Sequence, residues 1–148
     1  MTDLKTKLLE ADGGSRELDL LVWAEAKGLE LQYVDIEYDN EREAEKALFK
    51  QYVYANGELV AFVAKAGFYR VLDHEVPNLT DSLDAALALV EEVLKDCTAI
   101  DVTIFKSDGE SFATASVDRG LRKLDPVDHK SPAIALCLAL LSALEGEE

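Results

Sequence analysis

Histidine and cysteine are scarce in this chain, at two each, and the histidines, His74 and His129, lie far apart in segments expected to be loops. Metal ligation needs several such side chains converging, so no zinc site is expected and no metal or cofactor is assigned. Cys97 and Cys137 are isolated from one another and are expected to be small buried hydrophobes, not a disulfide framework or an activated nucleophile. Basic residues are short as well: 15 Lys and Arg against 30 Asp and Glu leave a formal charge of −15. That imbalance argues against direct binding of nucleic acid or of an anionic membrane, since both require a basic face to release counterions, and it favours basic protein partners. Outside residues 131–144 there is no long apolar run, and Met1-Thr2-Asp3-Leu4-Lys5 has neither the basic nor the apolar part of a secretory signal. A cytoplasmic location without membrane contact is the expectation, which deprives the Asn78-Leu79-Thr80 glycosylation pattern of meaning.

What is present starts with that apolar run. Ser131 can cap a helix and Pro132 suits its first position, where the missing N–H had no helical partner. Ile134, Cys137, Leu138, Leu141 and Leu144 form a broad stripe, and Ala135, Ala139 and Ala143 a shallow one that permits close approach. Such a helix must be buried, and it is too short and too rich in Ala to span a bilayer. It is the expected hub of one domain, residues 1–148, comprising a helical hairpin (1–28), a strand, helix and hairpin region (29–77) and a helix, hairpin and helix core (78–148).

Helical spacing of Leu4, Leu8 and Leu9 predicts a first helix over Asp3–Ala11, broken by Asp12-Gly13-Gly14. Ser15 caps a second that runs to Gly28, with Arg16 and Asp19 spaced to pair on its surface. Alternation then predicts a strand from Leu31 into the acidic stretch Asp35-Ile36-Glu37-Tyr38-Asp39, and composition a short surface helix over Asn40–Lys50. Asn56-Gly57 predicts a tight hairpin between Gln51–Ala55 and Glu58–Lys65, with Val53 opposite Val60 and Tyr54 opposite Leu59. Both faces of that hairpin are apolar, which predicts an interior place in a sheet with cover on each side. A strand at Phe68–Leu72, a loop at Asp73–Asn78 and a helix from Thr80, Asp81 or Ser82 to about Lys95 follow. Asp108-Gly109 joins strands Thr98–Lys106 and Ser111–Asp118, pairing Ile104 with Ala113, Val102 with Ala115, Ile100 with Val117 and Phe105 with Phe112. Leu124–Lys130 leads into the hub helix. This order predicts an α+β fold, a three-layer helix/sheet/helix sandwich around a mainly antiparallel sheet of four to five strands.

No catalytic constellation emerges from the residues. Asp35, Glu37 and Asp39 alternate as in a calcium loop, but no Gly serves the sharp turn and Lys46 stands where a bidentate Glu is needed. Gly13-Gly14-Ser15 could hold an anion, yet no strand precedes it, and a helix-hairpin turn explains it better. No Gly-x-Ser-x-Gly elbow occurs, and Asp81 and Asp84 at a helix start suit the helix dipole. The chain is not expected to be an enzyme.

Three stretches together carry a resemblance: Leu4…Leu8-Leu9-Glu10-Ala11…Gly14-Ser15-Arg16-Glu17-Leu18-Asp19, Leu79-Thr80-Asp81-Ser82-Leu83-Asp84-Ala85-Ala86-Leu87-Ala88-Leu89-Val90, and Ser131-Pro132-Ala133-Ile134-Ala135-Leu136-Cys137-Leu138-Ala139. In this order they resemble the phage ABA sandwich domain, a family of small phage and prophage proteins of unassigned biochemical function. The resemblance implies helix/sheet/helix layering and a phage- or prophage-encoded accessory protein of the bacterial host cytoplasm. Its matching residues Ser15, Arg16, Glu17, Asp19, Thr80, Ser82, Asp84 and Pro132 have structural explanations as caps, ion pairs and packing. Leu29–Leu72 lies outside it, and Leu20-Leu21-Val22-Trp23 is bulkier than the family pattern.

Binding to an unidentified protein is therefore the expected mode of action, as a monomer or homodimer. One candidate surface is acidic: Asp35, Glu37, Asp39, Glu41, Glu43 and Glu45 would imitate DNA phosphates in the basic cleft of a host defence or transcription protein. The other is the basic loop with Arg119, Arg122 and Lys123, which with the sheet would frame a pocket for a small anion such as a nucleotide.

Overall fold

In the computed structural model, which describes residues 2–72, 76–119 and 125–145, the chain opens with two helices, α1 (Thr2–Glu10) and α2 (Arg16–Lys27). They pack on one another through the turn that Gly13 and Gly14 make. Ser15 caps α2 by accepting from the Leu18 N–H at 3.2 Å, and Gly28, at φ 70°, ends it in the left-handed conformation.

A four-stranded antiparallel meander follows, in the order β1 (Leu31–Asp35), β2 (Phe49–Ala55), β3 (Glu58–Ala64), β4 (Tyr69–Val71). Between β1 and β2 lies α3 (Glu41–Lys46), capped by Asn40. It stops short of the expected Lys50 because Ala47 turns to extended backbone and Phe49 already pairs with Ala64. The Asn56-Gly57 hairpin forms with both φ angles positive. Tyr54 faces Leu59 as expected, but Val53 faces Ala61 and not Val60, because a bulge shifts the register between those two pairs.

Then come α4 (Leu83–Val93), β5 (Cys97–Ser107), β6 (Glu110–Arg119), β7 (Val127–His129) and α5 (Pro132–Glu145). Asp108 and Gly109 make the second tight turn, and every pairing expected across β5 and β6 is present. The last three strands form a second antiparallel sheet, β5-β6-β7. The fold is thus α+β, but the expected single sheet of four to five strands is corrected to two sheets of four and three. Two local causes explain this. Val127–His129, expected to be a lead into the last helix, pairs with β6, and α4 with its flanks separates β4 from β5. His129 accordingly sits in a buried strand position and not in a loop; His74 lies outside the described residues.

The hub helix is where expected. Every residue of α5 from Ala133 to Leu141 is buried. One side packs on β6 and β7, where Ala113, Ala115 and Val117 let it come close, and the other meets α1, α2 and α4. Each fully buried Leu in such a position is worth about 1.5–3 kcal/mol relative to exposure.

Candidate functional site

Between the two ends of the β1–β4 excursion, α2 and the segment before α4 are joined by buried polar contacts. Asp19 is fully buried on α2. Its Oδ1 accepts from the Thr80 N–H at 2.7 Å and the Thr80 hydroxyl at 2.5 Å, and its Oδ2 from Arg16 at 2.7 Å. Arg16 also donates to the Val76 carbonyl at 2.8 Å and to Asn78 Oδ1 at 2.6 Å, while the Ser15 N–H donates to Thr80 Oγ1 at 3.0 Å. Gly14 lies so close to this segment that a Cβ there would fall 2.6 Å from the Thr80 carbonyl carbon, which explains the second glycine of the turn. Arg16 and Asp19 pair as their spacing predicts, but the pair is not a surface one throughout: Asp19 lies inside the protein and Arg16 is half-buried above it. A buried carboxylate is tolerated only when paired and hydrogen-bonded, and here three donors from two residues, Arg16 and Thr80, meet the need for partners. Arg16, Asp19 and Thr80 thus act together as a clasp.

The other residues that carried the resemblance have simpler places. Ser82 caps α4 by accepting from the Ala85 N–H at 3.2 Å, Asp84 is exposed in its first turn, and Pro132 opens α5. Glu17 lies 3.8 Å from Lys7.

All six residues of the acidic candidate are exposed, but they form no regular row. Asp35 ends β1 and accepts from Gln51 at 2.9 Å, whereas Glu41, Glu43 and Glu45 belong to α3. Residues two apart on a helix point in nearly opposite directions, so Glu43 diverges from Glu41 and Glu45. Of the basic candidate, Arg122 and Lys123 lie outside the described residues. Arg119 is already engaged: its Nε donates to both oxygens of Asp96 at 3.0 and 3.1 Å, and its Nη1 to the Ala143 carbonyl at 3.2 Å. That guanidinium holds the Asp96 carboxyl below its usual range and pins the start of β5 to the end of α5.

The feature that sequence reasoning missed is the outer face of the four-stranded sheet. Val53, Ala55, Ala61 and Val63 are buried on the inner face. The opposite face carries Phe49, Tyr52, Tyr54 and Phe62, packed on one another at centroid distances of 5.3 to 6.3 Å and still in contact with solvent. Phe68 extends the cluster edge-on to Phe49 and is 50% exposed, and Leu48 beside it is 57% exposed. A cleft of about 350 Å³ opens at the β4 edge of the sheet, lined by Leu48, Phe49, Phe68 and Tyr69 with Arg16 and Arg70. The interior place expected for the β2–β3 hairpin is correct, whereas among the described residues the cover expected on both faces is found on one alone. The alternation of Tyr52 and Tyr54 with Val53 and Ala55 was the available signal, because tyrosine suits a face with one wet side.

A second open cleft, of about 450 Å³, lies between α1, α2 and β1 and is edged by Leu4, Lys7, Leu21, Glu25 and Tyr33. Across the inner sheet face the Tyr69 hydroxyl donates to Tyr33 at 3.3 Å; burial, with that bond, raises the Tyr69 pKa above its ordinary value. Burial also pushes the Cys137 thiol up to about 12, with the Asp19 charge adding to the effect, and raises the Cys97 thiol. Both are therefore protonated near neutrality and poorly nucleophilic. Among the described residues no three His, Cys, Asp or Glu side chains are grouped to hold a metal ion, and no described helix is long and apolar enough to cross a membrane.

Comparison of the chain with protein-family models, with curated proteins and with solved structures finds no match.

Proposed function

We propose that this protein acts by binding and not by catalysis, and that its partner is a protein that docks on the outer face of the β1–β4 sheet. The observation that carries this reading is the half-exposed cluster of Phe49, Tyr52, Tyr54, Phe62 and Phe68. Aromatic rings held rigidly by one another bind apolar and cationic side chains at little entropic cost, and they are enriched in the centres of interfaces. The exposed acids from Asp35 to Glu45 rim the same sheet and suit a basic partner. Replacing Phe68 and Leu48 together by Ser should abolish capture of the partner from bacterial lysate, with the fold intact by circular dichroism. Undiminished capture by that variant overturns the reading.

A phage- or prophage-encoded accessory role in the bacterial cytoplasm is part of the proposal. Its support is the resemblance together with the meeting of the three stretches that carry it, through the Asp19–Thr80 bonds and the Cys137 thiol, which donates to the Leu79 carbonyl at 3.6 Å. The helix/sheet/helix sandwich is the finer proposal for the architecture; its support is one helix layer, α5 packed on the β5–β7 sheet with α1, α2 and α4 behind it. A DNA-mimicking inhibitor is the second reading, favoured by the exposure of all six carboxylates. Neutralising them should then weaken binding in a salt-dependent way. Nothing favours the nucleotide reading while Arg119 is held by Asp96 and the Ala143 carbonyl.

A further inference from the structure

Among the described residues the order β5-β6-β7 leaves the eleven residues of β5 with a hydrogen-bonded strand on one side alone. Proteins usually blunt such an edge with a central Lys, a Pro or a bulge. The one register shift here lies at the beginning, between Cys97 and Ala99, and from Ile100 to Phe105 the sole charged residue is Asp101. Ile100, Val102 and Ile104 share the inner face with Val117, Ala115 and Ala113. Cover thins towards the edge: the three β6 residues are buried, Ile100 and Val102 are partly buried, and Ile104 is 57% exposed. At the other end of the strand an open cavity of about 320 Å³ is lined by Glu91, Leu94, Lys95 and residues 97–100.

We infer that β5 is a homodimer seam, pairing antiparallel with β5 of a second copy about a twofold axis at Val102. An axis normal to the sheet keeps every residue on its own face, so odd positions meet odd ones and even positions even ones. Centred on Val102, the pairing sets Ile100 opposite Ile104 and Thr98 opposite Lys106. Each exposed Ile104 then arrives beside Ile100 at the mouth of the other copy's cavity, and Lys106 comes into the neighbourhood of Glu91. On the outer face Asp101 meets Thr103 and not the other Asp101. Moving the axis to Thr103 would place Ile100 against Lys106 and Asp101 against Phe105, mismatching charge and apolar surface twice. The exposed Ile and the open cavity, at opposite ends of one strand, are therefore related by the same axis that makes the apolar face self-complementary. Because each copy carries a formal charge of −15, salt should strengthen the association.

Sedimentation equilibrium of the full chain over a wide concentration range tests this, with a concentration-dependent dimer as the expected result. Ile104→Glu, at an exposed position, should leave the circular dichroism spectrum unchanged and remove the dimer, since it sets a carboxylate beside Glu91. In a Cys97→Ser background, Val102→Cys should form an intermolecular disulfide under mild oxidation, because directly opposed residues bring their Cβ atoms within bonding reach. Ile104→Cys in the same background should not, its counterpart being Ile100. A monomer at every concentration, a dimer that survives Ile104→Glu, or a disulfide formed as readily at position 104 as at 102 overturns the inference.

Discussion

In the three-stranded sheet the face turned towards the helices is lined by Ala113, Ala115 and Val117, whereas in the four-stranded sheet the bulk lies on the face turned away, in Phe49, Tyr52, Tyr54 and Phe62. The outward face of the smaller sheet has one stacked aromatic pair near the turn, Phe105 on Phe112, and is otherwise largely Thr, Ser and Asp: Thr103, Thr114 and Asp128 stand in one row, with the Thr114 hydroxyl donating to Asp128 at 2.8 Å. Small inward residues permit the close approach of an apolar helix, and α5 takes that place. Large outward rings bury only part of themselves against one another and leave the remainder for another surface. The contrast separates a sheet built to hold a core from one that also presents a face.

Three substitutions probe this contrast, from the largest effect to the smallest. Leu141→Ala removes a fully buried side chain from α5 and should cost about 2–5 kcal/mol in denaturant unfolding, through lost transfer energy and an unrelaxed cavity. A small loss that depended on protein concentration would mean that α5 belongs to an interface and not to the core. Ala115→Leu should cost about 1–3 kcal/mol, because the added methylenes have no room between β6 and α5. A neutral result would mean that the close approach of helix to sheet is not required. Phe68→Ser should change stability by no more than about 0.5 kcal/mol while impairing partner capture, in keeping with a side chain 50% exposed. A large destabilisation there would make the outer face part of the folding core.

How much of this was legible in the sequence differs between the same two regions. The β5–β6 register follows from Asp108-Gly109, a two-residue turn with both φ angles positive, and from strict alternation on either side, so one slip would have reversed every side chain. The burial of α5 follows from apolar residues all round. In the four-stranded sheet, Asn56-Gly57 located the turn equally well, but the bulge that moves Val53 to Ala61 depends on packing and leaves no mark among neighbouring apolar residues. β7 escaped notice because three residues carry too little periodicity. For the candidate site, composition located the acids and local spacing paired Arg16 with Asp19. The burial of Asp19 depends on Thr80, 61 residues further on, which no local pattern can reveal.

That separation in sequence has a kinetic meaning. Closing the clasp of Asp19 with Thr80 encloses the whole four-stranded meander in one loop, whose entropic cost must be met before any of the bonds forms. If the β5–β6 hairpin and α5, which lie close together in the chain, assemble first, the clasp is among the last contacts made and the first that unfolding opens. Its contribution therefore falls on the unfolding barrier and not on the speed of folding. A protein fastened in this order would owe its lifetime in the native state to a few polar bonds around Asp19, and the rate at which it reaches that state to contacts elsewhere.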